Sequence, residues 1–385
     1  MPVCHQINLQ TSFGGGEVYT RFFSEALVSL GWDVELFVAS GAGFWSSMGM
    51  DGVRLREVAS EAEILDALPA QRSLVVTHTA ASAAFAAVLA KRHVLAGFVH
   101  MPLYERNPAG FACYHRLFGV SQHVLDSAAG RGLGNIYPEP MYGVADLALR
   151  PGAVQGVLRA GRVYDWDRRK LRDRLLGALA PLVAPFMPQP PFARRAGLTL
   201  GIVSRLTPIK QFPRMLDILA PVLARHPAVS LEVFGSGGFA SVRDIKTALG
   251  PMRNQVRFWG QQGDVAAVYG QLDYVLSGLP EKEALGLNLI ESQACGTPVL
   301  AVNAPPFTET VIEAASGYLF TDPRRDNGLD FARLLERLIA GAPRPDPRNG
   351  AAHLARFSRE AFRSRVGAAI EALSGDGWTP AKALV

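Results

Sequence analysis

The chain has 385 residues, of which 49% are hydrophobic and 19% charged, a balance typical of globular proteins and not of disordered ones. Its length allows two domains with separate cores. No apolar run reaches the roughly 18 residues that a membrane-spanning helix needs, and the first thirty residues lack a secretion-signal pattern. We therefore expect a cytoplasmic protein with reduced, buried thiols at Cys4, Cys113 and Cys295.

The net charge of +5 is concentrated in one part of the chain. Residues 155–195 contain nine Arg or Lys and three Asp, a net charge of +6, so the remainder is close to neutral. A local basic segment favours an anionic partner, although a solvated helix face would have the same composition. Nucleic acid is not expected as that partner, because no recognised binding motif accompanies the charge.

Strands and helices alternate through the first half of the chain. Val3–Leu9 is predicted as a strand, and the glycine loop Gly14–Gly16 follows it. A helix is predicted from about Glu17 to Leu30, where the apolar spacing is helical. The residues of its predicted apolar face are Val18, Phe22, Ala26 and Leu30. Further short apolar runs predict buried parallel strands at Val34–Val38, Leu74–Thr77, Val94–Val99 and Gly119–Ser121.

The middle of the chain predicts a helix and then a linker. Residues 165–186 form a helical pattern with leucines on one side, namely Leu171, Leu175, Leu179 and Leu182. Prolines then end the helix and predict an interdomain linker, at Pro185, Pro188, Pro190 and Pro191. A second series of strands follows, at Leu198–Val203, Val229–Phe234, Val256–Trp259, Tyr274–Ser277 and Pro298–Val302, and a last helix is predicted over Ser358–Leu373.

This alternation in both halves predicts an α/β protein with two doubly wound parallel sheets. Ligands of such sheets bind outside the carboxyl ends of the strands, so the natural site of a two-domain chain is the cleft between the domains. Polar or glycine residues follow four successive strands of the second series: Arg205 and Lys210, then Gly235, Gly260 and Glu283. Together they predict a pocket for a phosphorylated, hydroxyl-bearing ligand, although each alone is common at a surface or in a turn.

The segment from Glu283 to Glu291 contains two carboxylates eight positions apart, just over two helical turns. If a helix begins near Gly286, Glu283 lies in the loop before it and Glu291 lies inside it. The first backbone N–H groups of that helix would then form an anion site beside both acids.

These motifs resemble the retaining glycosyltransferases of family 4 (glycosyl transferases group 1), which have the GT-B fold of two Rossmann-like domains facing across a cleft. Residues 280–301 resemble the family's E-x7-E region, and Gly201–Phe212 resembles its arginine/lysine diphosphate motif. Gly14–Glu17, Asn135–Pro140 and Val99–Pro102 are similar to further family segments. The resemblance implies an N-terminal, acceptor-side domain at 1–190 with a basic helical segment at 155–190. It also implies a nucleotide-sugar domain at 191–357 and a C-terminal helix at 358–385 that crosses back.

The resemblance implies a hexosyltransferase that uses a nucleoside-diphosphate sugar and a glycan, lipid-linked or small-molecule acceptor, as in polysaccharide biosynthesis. Arg205 and Lys210 would neutralise the diphosphate, Glu283 would contact the donor sugar, and Glu291 would bind the ribose hydroxyls. Backbone N–H groups of Gly286, Leu287 and Asn288 would face the phosphates. The remaining implied positions are Gly15 and Gly16 by the diphosphate or acceptor, His100 near the anomeric carbon, and Gly235 and Gly260 on the donor side, Gly260 flanking the base.

Some features depart from the family pattern or leave alternatives open. Gln211 stands where the family usually has glycine, and His78 competes with His100 as the polar group of the first domain. The one Asp-x-Asp, Asp165–Asp167, is predicted to open the basic helix and not to bind a metal, so we expect no cofactor and no metal dependence. A sugar-nucleotide epimerase and a non-catalytic nucleotide-sugar-binding protein are the alternatives. The basic residues of 159–174 suggest peripheral contact with an anionic membrane, and packing across the cleft or binding of an anionic acceptor are the alternatives.

Overall fold

The computed structural model of the chain describes residues 2–145, 158–166, 171–183 and 191–375. Internal contacts divide it into two compact units, one formed by Met1–Ala145 with Ala355–Val385 and the other by Asp146–Leu354. The first boundary therefore differs from the expected one, which kept residues up to 190 in the first domain. The physical reason is that Leu158 is buried in the core of the second unit and packs there with its strands.

The strands are β1 (Val3–Asn8), β2 (Asp33–Ala39), β3 (Val53–Val58), β4 (Leu74–Thr77), β5 (Val94–Val99), β6 (Arg116–Gly119), β7 (Leu198–Val203), β8 (Val229–Phe234), β9 (Val256–Gly260), β10 (Tyr274–Leu276), β11 (Val299–Val302) and β12 (Gly317–Phe320). The helices are α1 (Gly15–Ser29), α2 (Glu61–Ala67), α3 (Ala83–Arg92), α4 (Gln122–Ala129), α5 (Leu171–Val183), α6 (Phe212–Ala224), α7 (Phe239–Ala248), α8 (Val265–Tyr269), α9 (Leu287–Ala294), α10 (Phe307–Thr310), α11 (Pro323–Asp326), α12 (Leu329–Ile339), α13 (Ala351–Ala355) and α14 (Arg359–Gly375).

Each unit contains a six-stranded sheet whose described pairings are all parallel. The strand order is β3-β2-β1-β4-β5-β6 in the first unit and β12-β11-β10-β7-β8-β9 in the second. In the first sheet the chain builds outward from β1 to β3 and then returns to add β4 on the other side of β1. The second sheet repeats this plan, with β7 and β10 as the central neighbours. Two doubly wound parallel sheets are therefore confirmed.

Burial on both faces explains why these runs form central strands. β5 and β8 are buried at every position, as expected of parallel strands covered by helices on each side. Several predicted strands agree with the structure to the residue, including those at 74–77, 94–99, 198–203 and 229–234. The strand expected at Gly119–Ser121 was placed too late, since β6 ends at Gly119 and Ser121 instead caps α4 by accepting from the Val124 N–H.

Helix α1 packs against the rest of the unit on two faces, whereas the sequence predicted one packed face. The residues buried against the rest of the unit include Thr20, Phe23 and Leu27, whereas the predicted face of Val18, Phe22, Ala26 and Leu30 is mostly half-buried. That predicted face lies toward α14: the Arg359 guanidinium lies 4.8 Å from the centroid of the Phe22 ring. Arg359 also donates to Glu25 at 2.7 Å. The C-terminal helix is thus an integral part of the first unit.

Helix α5, Leu171–Val183, lies within the helix predicted over 165–186. Asp165 and Trp166 are not helical, and residues 167–170 between them and α5 lie outside the described residues. Other parts of the predicted segment lie outside the described residues: Asp167, Arg168, Arg169 and Lys170, the prolines at 185, 188 and 190, and the side chains of Arg172, Leu179 and Leu182. Within the described residues, every helix is too short or too polar to span a bilayer.

Candidate functional site

The predicted donor residues of the second unit gather where β7 and β10 end. These two strands are neighbours at the point where strand order reverses, which is where doubly wound sheets bind ligands. After β7 the chain makes a short 3-10 turn at Pro208–Lys210, and after β10 it passes through Gly278. A Cβ atom at Gly278 would lie only 2.6 Å from the Lys210 carbonyl oxygen, so a glycine lets the two loops approach. The site is formed by this approach.

Lys210 and Glu283 meet across this junction as an ion pair, with the Lys210 ammonium donating to Glu283 Oε2. Both side chains are largely withdrawn from solvent, with 22% of Lys210 and 13% of Glu283 exposed. The pair lines a small depression together with Ser204, Asn288 and Phe307. Arg205 lies in the same turn as Lys210, and its side chain is exposed. The structure thus brings one acid and one cation of the predicted set together, and Arg205 lies five residues before that cation in the same loop.

The departure at Gln211 has a visible structural consequence. Gln211 adopts a left-handed backbone conformation with φ +53°, a region that costs a non-glycine residue roughly 1–2 kcal/mol. Its buried side chain accepts a hydrogen bond from Arg214 at 3.1 Å and so holds the start of α6. A glycine would adopt the same backbone without strain. Gln211 therefore has the left-handed backbone that a glycine after Lys210 would adopt, although the residue type differs from the family pattern.

Helix α9 begins where the sequence predicted. Gly286 is its N-cap with φ +80° and provides no side-chain cap, so the first backbone N–H groups after it have no capping partner from that residue. The Asn288 side chain donates to the Val203 carbonyl at 3.0 Å and so fixes the start of the helix to the end of β7. Glu283 lies in the preceding loop and Glu291 inside the helix, as expected.

Glu291 is tied to Tyr269 at the end of α8. The Tyr269 hydroxyl lies 3.1 Å from Glu291 Oε2 and 3.0 Å from the Asn288 carbonyl oxygen, yet it has only one proton to donate. Burial raises the pKa of Glu291 to about 7, against the opposing effects of the Tyr269 hydrogen bond and of Lys210. A protonated Glu291 would donate to Tyr269, which would then donate to Asn288. The carboxyl can therefore change protonation near neutral pH.

Gly235 and Gly260 make backbone contacts of their own. The Gly235 N–H donates to the Gly260 carbonyl at 2.8 Å, which joins the loops that follow β8 and β9. Both glycines have positive φ, and a Cβ atom at Gly260 would lie 2.3 Å from the Gly161 carbonyl oxygen. The group that lies close to Gly260 is thus the backbone at Gly161.

In the first unit, the predicted residues follow β1, β4 and β5. Gly15 and Gly16 form the first positions of α1. His78 is buried and its Nε2 lies 2.8 Å from Gln6 Oε1, whereas His100 is only partly buried. The two imidazoles are stacked with centroids 5.9 Å apart, so they are neighbours and not alternative sites. His100 Nε2 is buried without a hydrogen-bond partner among the described residues. Burial lowers the pKa of His100 to about 4, so this ring is neutral at physiological pH.

The described residues include no group of three or more His, Cys, Asp or Glu side chains arranged to hold a metal ion. Asp165, the described acid of the Asp-x-Asp sequence, instead accepts a hydrogen bond from Ser236 at 3.0 Å. Its role in this structure is therefore to bind another part of the chain.

Comparison with known proteins adds to this geometry. Residues 190–351 match the family model of glycosyl transferases group 1. A D-inositol 3-phosphate glycosyltransferase of Segniliparus rotundus is 34% identical over 220 residues, which are 52% of this chain and 47% of that protein. An N-acetyl-alpha-D-glucosaminyl L-malate synthase of Bacillus anthracis is 27% identical over 117 residues, 30% of each chain. The chain spans about half the length, or less, of these curated relatives.

Solved structures extend the likeness to the whole chain at the level of fold. HepE from Anabaena in complex with UDP has a TM-score of 0.70 at 18% identity and covers 97% of this chain and 100% of its own. Sucrose-phosphate synthase from Thermosynechococcus elongatus has a TM-score of 0.71 at 17% identity, with 98% and 100% covered. Together with the two parallel sheets, these matches assign the GT-B fold.

Two residues of the candidate site in the second unit were missed by sequence reasoning. Tyr269 ends a short helix whose apolar pattern gives no reason to select it, and the Asn288 side chain was considered only for its backbone. Both act by contacts between segments distant in sequence, at separations of 22 residues for Tyr269–Glu291 and 85 for Asn288–Val203. The spacing of the sequence carries no signal for such contacts.

The raised pKa of Glu291 predicts a pH-dependent stability. The folded state holds this proton more tightly than the unfolded state, so ionisation of Glu291 destabilises the fold as the pH rises from about 4.5 to about 7. We expect Glu291→Gln to unfold a few degrees higher than wild type at pH 8, since about 1 kcal/mol shifts Tm by roughly 2–4 °C in a domain of this size. At pH 5, near the lower end of this range, the difference should be much smaller than at pH 8. Calorimetry without ligand measures both.

Glu336→Gln is the matched control, because Glu336 is an exposed glutamate on α12 of the same unit. It should leave Tm within a degree of wild type at both pH values. A difference between Glu291→Gln and wild type that is equal at pH 5 and pH 8 would contradict the assigned ionisation.

Proposed function

We propose that the protein is a retaining glycosyltransferase that moves a hexosyl residue from a nucleoside-diphosphate sugar to a hydroxyl acceptor without a metal ion. The observation that carries the proposal is the junction of β7 and β10, where Lys210 and the start of α9 line one depression and Arg205 stands in the same loop as Lys210. Cationic side chains and helix N–H groups at one point are the chemistry that binds a diphosphate. The group 1 domain and its relatives named as glycosyltransferases support the reaction class.

The Lys210–Glu283 ion pair suggests how the donor is held. Before binding, Glu283 keeps the Lys210 ammonium aimed at the junction and satisfies its charge. A bound diphosphate would take over Lys210, and Glu283 would become available to accept hydrogen bonds from hydroxyls of the donor sugar. The ion pair thus prepares both groups and leaves neither buried charge unpaired.

The start of α9 supplies the second part of the donor site. Its first backbone N–H groups, at Gly286, Leu287 and Asn288, are assigned to the phosphates, and Glu291 is assigned to the ribose diol. Only the carboxylate form of Glu291 accepts from both ribose hydroxyls, so donor affinity should increase as the pH rises through 7. HepE, of the same fold, was solved with UDP and with UDP-glucose, which supports a nucleotide sugar as the donor class.

In the proposed reaction the bond between the anomeric carbon and the diphosphate oxygen breaks, and a bond to the acceptor oxygen forms on the same face. The acceptor proton passes to the leaving diphosphate. Negative charge develops on the leaving oxygen, and Arg205, Lys210 and the α9 amides would stabilise it; one such donor is typically worth about 3–4 kcal/mol. This electrostatic role can replace a metal. We assign the acceptor to the first unit, with neutral His100 and the Gly15–Gly16 helix start as its polar groups.

The first test measures turnover of UDP-, GDP- and ADP-sugars with a mixed panel of glycan, lipid and small alcohol acceptors, with and without EDTA. We expect transfer, or slow donor hydrolysis, with one nucleotide series and unchanged rates in EDTA. The product should keep the anomeric configuration of the donor, as read by proton NMR. Activity lost in EDTA and restored by Mn²⁺ would contradict metal independence. Donor isomerisation without acceptor would indicate an epimerase, and binding without turnover a non-catalytic protein.

Removal of either cation should weaken donor binding most. Because a hydrogen bond to a charged group is worth about 1.5–3 kcal/mol, Lys210→Ala and Arg205→Ala should each lower nucleoside-diphosphate affinity about 10- to 100-fold by titration calorimetry. Arg333→Ala, an exposed arginine on α12, is the control and should bind as wild type. Equal affinity of the wild type and both site variants would refute the diphosphate assignment.

We also propose that α5 contacts an anionic membrane surface, where a lipid-linked acceptor would be found. One face of α5 packs inward, since a Cβ atom at Gly177 would lie 3.2 Å from the Trp166 side chain. The opposite face carries Leu171, 69% exposed, and Leu175, 59% exposed, beside the exposed Arg174. These two leucines are the most exposed large apolar side chains among the described residues. Apolar residues combined with a basic segment are typical of helices that lie in a membrane interface.

The double variant Leu171→Asp/Leu175→Asp tests this contact. Each leucine buried in lipid contributes about 1.5–3 kcal/mol, so the variant should lose more than 10-fold in co-sedimentation with phosphatidylglycerol vesicles at low salt. Ile339→Asp, at a 43% exposed position on α12, is the matched control and should bind as wild type. Neither the wild type nor the double variant should co-sediment with phosphatidylcholine vesicles. Binding that is equal in the wild type and the double variant would contradict the assignment.

A further inference from the structure

A segment of the second unit outside the predicted donor site runs across the loops that follow β8 and β9. We call residues 158–166 the strap. On the β9 side, the Gly161 N–H donates to the Trp259 carbonyl at 2.6 Å, and the Gln261 N–H donates to the Arg162 carbonyl at 2.9 Å. These reciprocal bonds resemble the pairing of an additional edge strand. The strap is therefore bound to the backbone of the β9 loop and not only to its side chains.

The strap is bound to the β8 loop in the same way. The Gly237 N–H donates to the Val163 carbonyl at 3.0 Å, and the Asp165 N–H donates to the Gly237 carbonyl at 2.8 Å. The Asp165 carboxylate adds a side-chain bond by accepting from the Ser236 hydroxyl at 3.0 Å. A hydrogen bond to a charged group is stronger than a neutral one, so Asp165–Ser236 is the main polar latch at this end.

Glycines on both sides make this approach possible. A Cβ atom at Gly161 would lie 2.1 Å from the Gln261 carbonyl oxygen, and one at Gly260 would lie 2.3 Å from the Gly161 carbonyl oxygen. Both distances are far below van der Waals contact. Gly260 therefore allows the strap to approach closely, whereas the sequence alone suggested that it allows a ligand to approach.

An aromatic cluster holds the outer part of the strap. The Tyr164 ring is stacked on Phe239 of α7 with centroids 5.8 Å apart and on Trp166 at 5.3 Å. Lys246 donates to the Tyr164 hydroxyl at 3.1 Å and lies 5.1 Å from the centroid of the Phe258 ring. The strap is thus anchored at both ends and forms a fixed wall beside the two loops.

The position of Glu291 indicates what this wall faces. Glu291, the proposed ribose residue, is hydrogen-bonded to Tyr269 of α8, and α8 directly follows the β9 loop that pairs with the strap. Because α8 has only five residues, a nucleoside with its ribose at Glu291 would have residues 261–264 within reach of its base. Gln262 of that loop is itself tied to the strap, because its amide donates to the Arg159 carbonyl at 3.0 Å. The base would meet a loop whose shape the strap sets.

We infer that the strap is the outer wall of the nucleobase subsite and that Asp165, through its bond to Ser236, is a positioning residue for recognition of the donor base. This inference rests on the proposed function and specifies where donor selectivity originates. Asp165 acts by holding the loops, without touching the reacting atoms. Loss of the Asp165 carboxylate should therefore weaken donor binding and reduce the selectivity among bases. The turnover rate of the bound complex, kcat, should stay the same.

The experiment compares Asp165→Ala, Asp165→Asn and Ser236→Ala in the full chain, with Asp244→Ala as the matched control. Asp244 is a half-exposed aspartate of α7 that pairs with Arg243. For Asp165→Ala we expect the donor KM to rise about 10-fold with kcat within twofold of wild type, the lower end of what the loss of one charged hydrogen bond predicts. Asp165→Asn retains an acceptor oxygen and should restore most of the affinity. Ser236→Ala should behave like Asp165→Ala, and the double variant should be no worse than either.

Selectivity is measured on the same proteins by the affinities of UDP, GDP and ADP, a readout that does not depend on turnover. The ratio between the preferred base and the others should fall severalfold in Asp165→Ala and stay unchanged in Asp244→Ala. If the wild type binds a nucleoside diphosphate and Asp165→Ala keeps its KM and its base ratio, the strap inference is wrong while the proposed function stands. Tighter donor binding in Asp165→Ala would also overturn it, since the strap would then cover the subsite. A wild type that binds none of the three would overturn both.

Discussion

The junction between β7 and β10 is the constraint on which the second unit depends. The chain builds β7 to β9 in one direction, returns to the centre, and builds β10 to β12 in the other, so the loops after β7 and β10 must diverge to opposite faces. Between them lies a crevice that no side chain of the sheet can fill. Gly278 allows the Lys210 backbone to approach at this point, and the Lys210–Glu283 ion pair spans the crevice. Everything proposed for the donor is arranged around that pair.

The first unit repeats the topology without repeating the charge. Its central neighbours are β1 and β4, and the groups after β1, β4 and β5 are the glycine start of α1 and a stacked pair of neutral imidazoles. The imidazoles add no positive charge at neutral pH, and a neutral hydroxyl compound can use such groups for hydrogen bonds. The same fold plan thus supports two different chemistries because the residues at the strand ends differ. This division is consistent with a protein that binds a charged donor and an uncharged reacting group of an acceptor.

The sequence predicted the sheets well because buried parallel strands leave a local signal. A short apolar run that ends at polar or glycine residues is sufficient to predict β4, β5, β7 and β8. Strands β3 and β12 were missed, since β3 alternates with charged residues in an edge position and β12, also at an edge, begins with Gly317, a residue typical of turns. The face of α1 was assigned to one partner although two exist, because a single apolar stripe cannot reveal a second helix 330 residues away that packs against its flank. The boundary at residue 190 differs from the observed one for a similar reason, because no local pattern shows that Leu158 packs into the core of the second unit.

The sequence by itself determined the two doubly wound sheets, the start of α9 at Gly286, and the positions of Lys210 and Glu283 after β7 and β10, because strand periodicity and glycine conformation are local properties. Only the tertiary structure decided that the Tyr269 hydroxyl lies within hydrogen-bond distance of Glu291, that His78 and His100 are stacked, and that Asp165 binds the strap to the loop after β8. Each of those features depends on the distance between residues remote in the chain. Burial and backbone pairing set that distance, and the local pattern of residues predicts neither.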